Sequence, residues 1–72
     1  METIRKSYSV DRSQISYIRW IIESYDGMAI VSTIDPVYAI IEIKIAPGCE
    51  AVMNELIRSL RDDERIKFDQ IT

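Results

Sequence analysis

Apolar and polar positions along this chain switch repeatedly between a period of two and a period near 3.6, and the switches mark successive strands and helices. Residues 4–10 alternate loosely, with Ile4, Tyr8 and Val10 on one side of a strand. Lys6 interrupts that side, which places it toward the strand's open end. Asp11 then offers a helix N-cap, with Gln14 three residues on in the capping-box position. At about 100° per residue, Ile15, Ile18, Ile21, Ile22 and Tyr25 gather on one helix face, and Ser16, Arg19 and Glu23 occupy the other. Gly27 suits the left-handed position just past a helix end.

Residues 28–34 and 37–45 are β-branched runs separated by Asp35-Pro36, whose turn chemistry predicts a hairpin. The second run alternates clearly, with Ala39, Ile41, Ile43 and Ile45 on one side and Tyr38, Ile40, Glu42 and Lys44 on the other. A charged face meets water, so the Ala/Ile face is assigned to the core. In the first run, Met28/Ile30/Ile34 and Ala29/Val31/Thr33 both qualify as the core set, because a hairpin loop of two or three residues reverses the answer. Pro47 is placed at or near the first position of a second helix, whose apolar stripe is Cys49, Val52, Met53, Leu56, Ile57 and Leu60. Asn54, Glu55, Arg58 and Arg61 form its wet side. Asp62-Asp63-Glu64-Arg65 reads as a solvated connection, and Ile66 and Phe68 mark a short last strand.

The order strand, helix, strand, strand, helix, strand predicts an α+β fold: a ferredoxin-like βαββαβ sandwich. It has a four-stranded antiparallel sheet with two helices on one face, leaving the other face open. At 72 residues, the chain is a single domain (1–72) near the size at which one core is only marginally adequate. Its one Cys excludes an internal disulfide, and with no His the ligand set of a structural zinc site is missing. A small chain without such staples is expected to gain stability by self-association.

The net charge of −3 and the scattering of nine basic residues argue against nucleic acid or anionic lipid as partner. The N-terminal residues 1–6 lack the apolar stretch of a signal peptide, and no apolar run approaches the roughly 18 residues that span a membrane. The sequence reading is therefore cytoplasmic, with no membrane partner.

The helix end Glu23-Ser24-Tyr25-Asp26-Gly27 and the hairpin Val31-Ser32-Thr33-Ile34-Asp35-Pro36, within residues 18–36, resemble those of an uncharacterised family of small bacterial proteins, a domain-of-unknown-function group. The resemblance covers nearly the whole chain, through motifs that are helix ends and turns. The topology is also similar to that of ACT domains, regulatory modules that bind amino acids at dimer interfaces. That likeness implies a ligand near the loop after the first strand, here Val10, Asp11, Arg12 and Ser13. ACT domains commonly carry a Gly in this loop, and this chain has none there.

Candidate chemistry is sparse. Cys49 falls in the first turn of the second helix, where the dipole favours a thiolate, yet it shares one apolar stripe with Val52, Met53, Leu56 and Leu60. Its reading is inert core. Asp62, Asp63 and Glu64 lack the alternating spacing and Gly of a calcium loop. Glu23 and Asp26 sit at an exposed helix end with nothing to perturb them. An RNA-recognition surface would need stacked aromatics on the open sheet face, where Tyr38 is read with Glu42 four residues on. An acylphosphatase-type site would pair an Arg after the first strand with an Asn on the second, and residues 28–34 contain no Asn.

Exposed apolar surface remains. Tyr17 and Trp20 widen the first helix's stripe beyond what one sheet covers, and Tyr38 and Ile40 are read onto the open sheet face. These four residues are the interface candidates. The sequence reading is a non-enzymatic, self-associating homodimer without cofactor or metal. Its alternative is an ACT-like regulatory module that binds an amino acid or other small ligand.

Overall fold

Loose alternation makes the first element a strand, β1 (Ile4–Val10), in the computed structural model, which describes residues 3–71. Met1 and Glu2, on which the reading of the N-terminus partly rests, lie outside the described residues. A single 3-10 turn, Arg12–Gln14, leads into α1 (Ile15–Glu23), followed by β2 (Ala29–Asp35), β3 (Ile40–Ile45), α2 (Glu50–Asp62) and β4 (Phe68–Gln70). The strands lie in the order β2-β3-β1-β4, with every neighbouring pair antiparallel. The connection through α1 therefore steps over β3, and the connection through α2 steps over β1. This is the ferredoxin-like α+β sandwich.

One sheet face meets both helices in a single apolar core. Tyr8, Val10, Ala29, Val31, Ile41, Ile43, Ile45 and Phe68 contribute from the strands, and Ile18, Ile22, Met53, Ile57 and Leu60 from the helices. Fully burying an Ile or Leu side chain contributes about 1.5–3 kcal/mol. The helical spacing 18/22 and 53/57/60 thus decides which flank of each helix turns inward. The ambiguity in β2 resolves in favour of Ala29 and Val31, while Ile30 and Ile34 stay exposed.

Four local features differ from the sequence reading, each for a physical reason. Lys6 sits mid-strand opposite Ile43, not at an open end. Its long stem runs along the core and its ammonium donates to Asn54 Oδ1 at 3.1 Å on α2, with Glu50 4.0 Å away. No capping box forms at Asp11, because its carboxylate accepts the Lys67 N–H at 3.2 Å and so ties the start of α1 to the approach of β4. Pro47 precedes the helix: with Gly48 at φ +85° it makes a turn, and α2 begins at Glu50. Tyr38 lies in a four-residue turn, residues 36–39, rather than on β3. Asp35 Oδ1 accepts the amides of Val37 and Tyr38 at 2.9 and 3.2 Å, an Asx turn that extends the loop. The register slips by one residue between Thr33 and Asp35, leaving a bulge at Ile34.

Candidate interaction surface

The face of the sheet away from the helices is polar. The register sets Arg5 opposite Lys44, with Ile30 next in line on β2, and the row beside it reads Ser7–Glu42–Ser32. Ile40 stands on this face between Ser9 and Asp35, partly buried. Tyr38, in the turn, is 73% exposed and does not extend an apolar row with Ile40 along β3.

Exposed apolar side chains concentrate along one segment of the chain. Eight large ones stand out among the described residues, and Trp20, Tyr25, Ile30, Ile34, Val37 and Tyr38 all belong to the stretch from α1 through β2 to its turn. Trp20 is 68% exposed, with its ring centroid 6.4 Å from that of half-buried Tyr17. A shallow recess of about 380 Å³ lies along the flank of α1, lined by Ser16, Arg19, Trp20, Glu23 and Ser24. A groove of about 590 Å³ continues beside β2, where Gly27, Met28, Ala29 and Ile30 meet Lys44. Glu23 borders both.

Glu23 also holds the edge of the sheet. Its Oε2 accepts the Val31 N–H at 3.0 Å, so this backbone donor of an outermost strand is satisfied by a side chain from α1. The sequence shows Glu23 only as a polar residue at a helix end. Its partner lies eight positions on, across a turn, and no periodic pattern marks such a contact.

The loop after β1 is committed to structure. Val10 is buried, Asp11 is engaged with Lys67, and Arg12 and Ser13 form the exposed 3-10 turn. The Val10 N–H donates to the Ala39 carbonyl at 3.0 Å, so the hairpin turn packs against this end of β1. The groove bordered by Gly27 lies by the opposite end, where Ala29 pairs with Ile45 and Ile45 with Ile4.

Several polar groups around the end of α2 answer to local contacts. The Tyr17 hydroxyl donates to Glu64 Oε1 at 2.7 Å, which raises its pKa above the usual phenol value. Asp62 is held below the usual carboxylate range by the hydrogen bond from Arg61 at 3.0 Å, and Arg61 is raised in turn. Asp63 accepts from the Ser59 hydroxyl. The three acidic residues at the end of α2 thus turn to three different partners. Cys49 is half-buried against the core and caps α2 without a side-chain hydrogen bond.

Residues 8–63 match the family described as Domain of unknown function (DUF4911). The chain belongs to that family. The DUF4911 match runs from the middle of β1 to the end of α2, so it takes in the α1–β2 surface and stops short of β4. No curated protein matches the chain, and no solved structure matches it. Among the described residues of this DUF4911 member, no helix is long and apolar enough to cross a membrane.

Proposed function

We propose that this chain is a non-enzymatic module that works as a homodimer, assembled through the flank of α1 and the neighbouring strand β2. The observation that carries the reading is the gathering of six exposed apolar side chains on one continuous stretch of a 72-residue chain. Single exposed hydrophobes are ordinary, but several along one segment that includes an outer strand mark an interaction site.

Trp20 is the only tryptophan and supplies its own reporter. Its emission is expected to shift to the red on dilution from high to low micromolar concentration, as an indole covered in the dimer meets water. Emission that stays at the exposed-indole wavelength throughout would contradict the reading.

The alternative, a regulatory module of the ACT type binding a small ligand, draws support from the groove of about 590 Å³ bordered by Gly27 and Lys44, not from the loop at residues 10–13. Lys44 beside apolar Met28 and Ile30 suits an anion with a short apolar tail. Stabilisation by an amino acid at 100 times its Kd, about 2.7 kcal/mol in a thermal-shift screen, would favour this second reading.

A further inference from the structure

We propose that two copies of this chain join edge to edge through β2, antiparallel about a two-fold axis at Val31, so that the sheet runs on from one copy into the next. This rests on the self-association proposed above and adds its seam and its register.

The two edges of the sheet differ. β4 is three residues long and carries Asp69, with Lys67 just before it, the short charged edge that proteins use to discourage pairing. β2 is seven residues long and carries exposed Ile30 and Ile34. The direction of its backbone groups follows from two bonds. The Met28 carbonyl accepts the Ala46 N–H at 2.8 Å on the β3 side, whereas the Val31 N–H goes to Glu23 on the other side. Alternation along an antiparallel strand then turns the N–H and C=O groups of Ala29, Val31 and Thr33 outward.

The bulge after Thr33 fixes the register. It ends the regular part of the edge, so the usable stretch runs from 29 to 33 with Val31 at its centre. An isologous pairing that uses all of this stretch sets Val31 against Val31 of the second copy and Ala29 against Thr33 of the second copy, with about six new backbone hydrogen bonds. The same register lays Ile30 beside Ser32 of the second copy.

The helix flank supports a second copy, rather than a foreign strand, as occupant. Because Glu23 reaches the outward Val31 N–H, this flank of α1 overhangs the edge. A two-fold axis sets the two α1 helices antiparallel there. Arg19 has no ion pair among the described residues, and Glu23 stands one turn away on the same recess with the opposite sign. Antiparallel copies therefore bring each Arg19 toward Glu23 of the other, as Glu23 yields the Val31 N–H to the incoming strand. Trp20 lies between them. A standard interface needs about 800 Å² per partner, about a sixth of the 4701 Å² this chain exposes.

Thr33→Pro tests the seam. It deletes an N–H that points outward, so no bond within the chain is lost, and Pro is tolerated on an edge strand at such a position. The expected result is a native protein with the mass of two chains and a Thr33→Pro variant with the mass of one and unchanged circular dichroism. In the native protein, exchange of the Ala29 and Thr33 amides is expected to slow roughly tenfold or more as concentration rises through the dimerisation range. Should Thr33→Pro not fold, that exchange series alone decides. A native dimer whose Ala29 and Thr33 amides stay unprotected, or a Thr33→Pro variant that remains dimeric, would overturn the seam and leave self-association standing. A native protein that stays monomeric overturns both.

Discussion

At the scale of single residues, Tyr8 ties the sheet to its environment most measurably. It is buried at 4% exposure, with its ring edge-on to Phe68 at a centroid distance of 5.5 Å. Burial raises its pKa above 10.0, with Arg61 pulling weakly the other way. A phenol whose folded pKa lies above its unfolded one holds its proton more firmly in the fold. The stability it contributes is thus complete below about pH 10 and is lost as pH rises through the folded value. Tyr17 shifts in the same direction, but it lies at the surface, where solvent screens the effect. Thermal melts are therefore expected to show a loss of stability between pH 9 and pH 11 that is smaller in Tyr8→Phe (the two values bracket the ordinary phenol pKa of about 10). An equal loss in both proteins would show that burial of Tyr8 is not its source. Tyr8 was legible in the sequence as a core residue because it sits in phase with Val10. Lys6, also in phase, was misplaced because alternation does not reveal that a four-carbon stem can lie along the core and still reach Asn54.

At the scale of elements, the turns decide more than the helices and strands they join. Gly27 and Arg65 both take left-handed backbone, at φ +73° and +57°, one after each helix. The two positions test one principle from opposite sides. At Gly27 an added Cβ meets nothing within 4 Å, so Gly27→Ala is expected to cost about 1 kcal/mol from backbone strain alone. Arg65→Gly relieves the same strain at an exposed site but gives the unfolded chain more freedom, for a net gain of about 0.5 kcal/mol. Denaturant midpoints of the two variants check both signs, and a destabilised Arg65→Gly would mean that its side chain does more than the structure shows. The order of elements and the core faces of β3 and, apart from exposed Tyr25 and Val52, of the two helices were readable because each depends on periodicity over a whole segment. The core face of β2 was not. It hangs on the length of the turn at residues 36–39 and on the bulge at Ile34, and the Asx hydrogen bonds of Asp35 set both without leaving a periodic trace. The same extra turn residues removed Tyr38 from β3, and with it the apolar sheet face expected of Tyr38 and Ile40. Trp20 was legible as surplus apolar surface, but its setting beside the β2 edge required the fold.

At the scale of the whole molecule, the two helices cover one sheet face, while Trp20 on the outer flank of α1 and Ile30 and Ile34 on the edge strand β2 stay exposed. The polar row Ser7–Glu42–Ser32 suits the middle of the uncovered sheet face to water, whereas Ile30 at the rim of that face, Ile34 and Trp20 are apolar and exposed. A second copy resolves this with one patch serving both partners. The mass in solution, by sedimentation equilibrium over a range of micromolar concentrations, tests this most directly. The account predicts a native species approaching twice 8.4 kDa and a folded Trp20→Glu variant at 8.4 kDa over the same range. A native protein that holds at 8.4 kDa up to high micromolar concentration contradicts it.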